Sequence, residues 1–204
     1  MVAEISANPT DAGKGRRPSD SRVRLLAAAR KLFVSRGYHD TRPQDISREA
    51  GLGHGTFYLH FSDKRACFLA FQEEARDELD AVVRAEIGGE RSLAGIVRAT
   101  LRAIFTYAET HPHVLLTAMA DEAIISAAGG GGRTLVDRWS EDWAAMLAEL
   151  AGQGLIDRAI DSVVASHAVI GAIHQAASAG YRAGKSRDAL LEALTLFLTK
   201  ALKP

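Results

Sequence analysis

Residues 41–61 read TRPQDISREAGLGHGTFYLHF, a run that spells two short helices around a tight turn. Thr41 and Gln44 stand at the spacing of a capping box, with a hydroxyl at the cap and an amide three residues on. Pro43 falls in the first turn, where no helical N–H is required. The first helix therefore runs through Ile46 to Ala50 and stops at Gly51. Gly51-Leu52-Gly53 makes the turn, and residues 54–61 make the second helix. Short helix, glycine turn, short helix is the pattern of a helix-turn-helix, here at about 42–61. Ile46, Ala50, Leu52, Phe57 and Phe61 supply the small core that fixes the angle between the two helices.

Upstream, Leu25, Leu26, Ala29, Leu32 and Phe33 form one apolar helical stripe. Residues 19–21 offer N-caps for that helix, and Gly37 ends it as a C′ glycine does. Arg22, Arg24, Arg30 and Lys31 lie off the stripe. Residues 1–19 lack periodicity and read as a flexible basic arm, whose Lys14, Arg16 and Arg17 have the charge to reach a phosphate backbone or a minor groove. Downstream, Ser62 and Asp63 cap a longer helix reaching to Glu86, with Cys67, Phe68, Phe71, Leu79 and Val82 on its stripe. Further helices are expected at 92–110, 112–127, 133–152, 161–183 and 186–202, with Asp161 capping the fourth of these. The breaks between them are Gly88-Gly89, His111-Pro112, 129–132, 152–154 and Gly184. The expected fold is all-α, an N-terminal three-helix helix-turn-helix domain plus a C-terminal helical bundle, about nine helices in all. The expected divisions are an arm at 1–19, the helix-turn-helix domain at 20–66 and the bundle at 67–204.

Composition bounds the rest. The chain has 204 residues, 47% apolar and 25% charged, which excludes a wholly disordered polymer. No uninterrupted apolar run approaches the ~18 residues of a membrane span, and the N-terminus carries no apolar signal segment. One cysteine, Cys67, provides neither an intrachain disulfide nor a multi-thiolate metal site. A cytoplasmic chain without membrane contact is the expectation. The net charge is zero but uneven: residues 1–65 carry 12 Lys and Arg against 7 Asp and Glu, and the remainder carries 13 against 18. A basic head on an acidic body suits a polyanionic partner.

From Ser21 to Phe71 the chain resembles the DNA-binding domain of the TetR family of transcriptional regulators. The resemblance rests on LFVSRGY, TRPQDISREAGLGHGTFYLHF and SDKRACFLAF in order. Within these stand Gly37-Tyr38, Thr41, Asp45-Ile46, Ala50-Gly51, Gly55-Thr56, Tyr58, His60-Phe61 and Lys64. It implies that the second short helix enters the major groove of double-stranded DNA. Tyr58, His60 and Lys64 would then clamp phosphates, with His54, Gly55 and Thr56 nearest the bases, and Arg42 and Gln44 touching backbone or an adjacent base. Two positions depart from the family. Gly53 stands where Ser or Thr is usual, which removes a side-chain cap at a loss of a few tenths of a kcal/mol. His54 stands where Lys is frequent, and Arg42, where Thr is common, offers a compensating charge.

The resemblance further implies a homodimer that binds a palindromic operator, most simply as a repressor, and a bundle that answers a small-molecule effector. For the dimer seam the candidates are Ala168, Gly171 and Ala172, small residues that let helices approach, with Leu190, Leu194 and Phe197 on the last helix. For the effector they are the aromatic and polarisable residues Phe105, Tyr107, Met119, Trp139, Trp143, Met146 and His174, which suit an apolar or aromatic molecule. Two other readings remain: a helical small-molecule enzyme with a vestigial head, and a DNA-binding protein without an effector. The four glycines at 129–132 are not followed by Lys-Ser/Thr, so they make no phosphate loop and read as an interhelix link. No G-x-S-x-G or H-E-x-x-H occurs, and the histidines lack neighbouring carboxylates or thiolates at ligand spacing. No cofactor, metal or catalytic residue is expected.

Overall fold

The computed structural model describes residues 18–120 and 135–204, and these form helices with no strand. The nine helices among them are α1 (Pro18–Arg36), α2 (Pro43–Glu49), α3 (His54–His60), α4 (Lys64–Ile87), α5 (Leu93–Thr110), α6 (Val114–Ala120), α7 (Leu135–Gly152), α8 (Ser162–Arg182) and α9 (Arg187–Leu202). Residues 1–17 of the expected arm at 1–19, residues 121–127 of the expected sixth helix and the link at 129–132 lie outside the described residues.

Helix ends follow the local chemistry. Asp63 accepts from the Ala66 amide at 2.7 Å, opening α4, and Asp161 accepts from Val163 and Val164 at 2.9 and 3.1 Å, opening α8. Ser92 and Ser186 do the same for α5 and α9. Two starts differ from expectation. α1 begins at Pro18, ahead of residues 19–21, because a proline is tolerated in a first turn. At α2 the N-cap is Arg42, one residue later than the capping-box reading, and its side chain makes no cap bond. Thr41 is fully buried instead, donating from Oγ1 to the Gly37 carbonyl at 2.8 Å, so its hydroxyl closes the preceding turn.

The stripe of α1 and the apolar residues of α2, α3 and α4 meet in one core around Phe33, Phe57, Phe68 and Phe71, all fully buried. Phe33 meets Phe68 edge-on at 5.0 Å, a favoured aromatic geometry. This core continues into the bundle through Tyr107 of α5, Val114 and Ala118 of α6, and Leu135 and Trp139 of α7. A second core, centred on Leu101, Leu147 and Ile156, holds α5 against α7, α8 and α9. At Gly180, an added Cβ would lie 2.2 Å from Leu190 Cδ2. The bare glycine lets the Leu190 side chain of α9 lie against the α8 backbone, and a larger residue there would push that side chain aside.

Candidate nucleic-acid interface and effector cavity

The α2–α3 unit is set by backbone chemistry before side chains add to it. Gly51 takes φ +63°, a left-handed conformation that glycine adopts without penalty. Its N–H reaches the Arg48 carbonyl at 3.0 Å, and the Leu52 N–H reaches the Ser47 carbonyl at 2.9 Å. Together they make the paired closure of a Schellman motif. Arg24 of α1 then donates to the carbonyls of Ala50 and Gly51, tying the turn to the first helix. Phe57 and Phe61 face inward, fully and almost fully buried, and this orients the rest of α3 outward.

The outward residues form a mixed face. His54 and Gly55 are exposed, Thr56 and His60 half-buried, and Tyr58 is 51% exposed. The His54 and Tyr58 rings meet edge-on at 5.2 Å, so one turn of α3 presents an imidazole and a phenol together. At the start of α2, Arg42 is exposed and Gln44 is open to solvent. Lys64 is half-buried and already engaged: its Nζ donates to the carbonyls of Tyr38 and His39 at 2.8 and 3.3 Å and lies 4.2 Å from the Tyr38 ring centre. Lys64 thereby fixes the loop between α1 and α2, a role its position in the sequence does not suggest. Leu59, absent from the candidates drawn from the sequence, is 81% exposed on the same face.

A second feature lies in the bundle. A cavity of about 470 Å³ opens between α4, α5, α6, α7 and α8. Phe105, Met119, Trp139, Trp143 and His174 line it. Tyr107 and Met146 do not. The Tyr107 hydroxyl donates to Glu78 Oε2 at 2.6 Å, and its ring stacks on His111 at 4.4 Å, so it joins the core toward α1. Met146 packs into the second core, beside a narrow crevice of about 20 Å³. His174 apart, the polar part of the lining was missed from the sequence: Asp80 of α4 and Ser178, Tyr181 and Arg182 of α8. The last three fall at i+4, i+7 and i+8 from His174, a periodicity that was there to be read. Burial lifts the Asp80 carboxyl above its ordinary range, with Arg76, 3.9 Å away, opposing.

The expected dimer residues divide. Leu190 and Leu194 are buried in the chain's own second core, because α9 turns that face toward α5 and α8. Ala168, Gly171 and Phe197 are exposed, and Ala172 is half-buried. Near them Val164 and Leu196 are also open, at 66% and 58%.

Cys67 is fully buried, and burial pushes its thiol up to about 12. Among the described residues no group of three or more His, Cys, Asp or Glu is arranged to hold a metal ion. Among the same residues no helix is long and apolar enough to cross a membrane.

Residues 25–71 match the family described as "Bacterial regulatory proteins, tetR family". The chain is 34% identical over 113 residues to the "HTH-type transcriptional activator FasR" of Mycolicibacterium smegmatis, covering 53% of this chain and 52% of that protein. It is 32% identical over 87 residues to the "HTH-type transcriptional repressor AcnR" of Corynebacterium glutamicum, covering 43% and 44%. The chain thus spans about half the length of these relatives. In fold it is similar to the fatty acid degradation regulator FadR from Bacillus halodurans, with a TM-score of 0.72 at 16% identity over 91% of this chain and 97% of that one. It is also similar to FadR from Bacillus subtilis in complex with stearoyl-CoA, with a TM-score of 0.66 at 18% identity over 87% and 97%. At these identities the likeness is one of fold.

Proposed function

We propose that this chain, whose residues 25–71 match the family of tetR bacterial regulatory proteins, is a ligand-responsive DNA-binding transcriptional regulator of that family. It acts as a repressor on a palindromic operator and is released by a small apolar or aromatic effector. The observation that carries the reading is the outer face of α3. There His54, Thr56, Tyr58 and His60 sit on a short helix whose opposite side is locked by Phe57 and Phe61. Arg42 and Gln44 at the start of α2 flank it. Aromatic hydroxyls, imidazoles and a guanidinium at a helix-turn-helix surface suit phosphate and base-edge contacts in a major groove. Lys64 contributes mainly by holding the loop beside them.

A palindromic operator requires a two-fold protein. The open faces of α8 and α9, with Val164, Ala168, Gly171 and Phe197, supply the seam; Leu190 and Leu194 support it from beneath. The cavity is the effector's place, and its Trp and Phe lining favours an apolar or aromatic body with a polar group toward Ser178, Tyr181 and Arg182. An effector releases DNA only by binding one head arrangement better than the other. A DNA-binding protein without effector would have the bundle packed solid, so the cavity favours the ligand-responsive form.

The test is fluorescence anisotropy of the purified chain on the DNA upstream of its own gene, with unrelated competitor DNA, across roughly 50–200 mM salt. Binding that survives competitor, weakens with salt, saturates at two chains per duplex and is lost in Tyr58→Ala supports the proposal. Absence of any salt-sensitive binding overturns it.

A further inference from the structure

We propose that Leu59 reads the C5-methyl group of a thymine, so that the outermost ridge of the recognition surface is apolar, while Tyr58 and His60 on its flanks hold phosphates. The inference rests on the DNA-binding reading above and adds to it the chemistry that selects the base.

The helical geometry of α3 carries it. Taking the fully buried Phe57 as the inward direction, about 100° per residue places Gly55 and Leu59 on the opposite side, one turn apart on a single ridge. The ridge furthest from the core is the one that would go deepest into a groove. It carries no side-chain donor or acceptor. Gly55 is exposed and an added Cβ there would meet nothing within 4 Å, so nothing on that turn stands between the helix backbone and a base edge. Leu59 is 81% exposed, the most open of the large apolar side chains among the described residues. Held out this far between Tyr58 and His60, the leucine offers its apolar surface to whatever α3 meets.

The charge of the sequence and the neighbours on α3 identify the occupant. Residues 1–65 carry 12 basic against 7 acidic side chains, and Tyr58 and His60 stand to either side of Leu59 on α3. A polyanion with an apolar spot inside a polar groove matches that pattern, and the thymine methyl is the apolar group that B-DNA presents in its major groove. Hydrogen-bonding side chains at the flanks are then free to hold phosphates.

The experiment separates this inference from its premise. Duplexes are selected from a random pool by the full chain, and each thymine of the selected site is replaced in turn by deoxyuridine, which removes only the methyl. At one thymine in each half-site, loss of the methyl is expected to weaken binding by about fourfold, the equivalent of one buried apolar carbon. Leu59→Ala is expected to bind the thymine duplex more weakly and to make no distinction between thymine and uracil there. Its thermal melting is expected to stay at the wild-type value, since the side chain touches little of its own protein. Enrichment of a site with no thymine-to-uracil effect at any position overturns the Leu59 inference alone. So does an equal effect in wild type and Leu59→Ala. A pool from which nothing is enriched overturns the DNA-binding reading and this inference with it.

Discussion

Lys64 illustrates how one residue type supports two explanations that only contacts separate. A lysine at the start of a helix beside a DNA-binding unit reads as a phosphate ligand. In the folded chain its ammonium bonds the Tyr38 and His39 carbonyls and sits over the Tyr38 ring. Together these contacts, discounted for solvent screening of a partly exposed ammonium, are worth about 1–2 kcal/mol. Lys64→Met is therefore expected to lower the unfolding free energy by about 1–2 kcal/mol in urea titrations at pH 7. A lysine that served DNA alone would leave the urea midpoint unmoved. Thr41 makes the same point from the other side: its sequence spacing to Gln44 suggests a cap, but its hydroxyl is consumed by Gly37.

At the scale of elements, the head and bundle are joined by a polar bridge among α1, α4 and α5. Arg30 holds Glu78 through two hydrogen bonds of 2.6 and 2.8 Å, and Tyr107 donates to the same carboxylate at 2.6 Å. Partial burial works against the Glu78 charge, yet the bonds from Arg30 and Tyr107 outweigh it and hold its pKa below the ordinary carboxylate value. A lowered folded-state pKa stabilises above the unfolded value of about 4.3 and loses that stabilisation as pH falls through the lower folded value. Glu78→Gln is expected to cost about 1–2 kcal/mol at pH 7, a figure kept modest because the 36% exposed Glu78 side chain is screened by solvent. The difference from wild type should narrow below about pH 4. Urea titrations at about pH 7 and pH 3.5 check both statements, and a difference that stays constant across that range excludes the bridge as its source.

For the whole molecule, the useful geometry is that α6 touches both halves. Its Leu115, Leu116 and Met119 line the cavity, while Val114 and Ala118 lie in the core shared with α1 and α4. The buried Gln72 side chain of α4 donates to the Ala118 carbonyl at 2.7 Å. A molecule that shifts α6 therefore acts on α4, the helix whose first turn adjoins α3. Both tryptophans of the chain, Trp139 and Trp143, line the cavity, so their emission reports its occupancy. N-phenyl-1-naphthylamine, an apolar fluorescent probe, is expected to quench that emission on binding. Ala177→Phe, which fills the cavity from α8, is expected to abolish the quenching while leaving the helical circular dichroism intact. Undiminished quenching in that variant would move the binding site elsewhere.

Local patterning alone determined the element order. Helix starts and stops depend on neighbours within a turn, as with Asp63, Asp161 and Gly51, and apolar residues such as Leu25, Ala29, Leu32 and Phe33 repeat at helical spacing. The polar residues of the outward face of α3 were legible for the same reason, since Phe57 and Phe61 turn inward, whereas Leu59 was not, because an apolar residue in a short helix reads as core. Tertiary packing decided which of several equivalent stripes met which partner. Tyr107 turned toward Glu78, Met146 into the second core, and Leu190 against Gly180. It also assembled the cavity from five helices far apart in sequence, and with it the polar group of Asp80, Ser178, Tyr181 and Arg182. Side chains at helical spacing share a face whatever the fold, but what that face meets is set by helix crossing geometry, which depends on the shapes of all the facing residues at once.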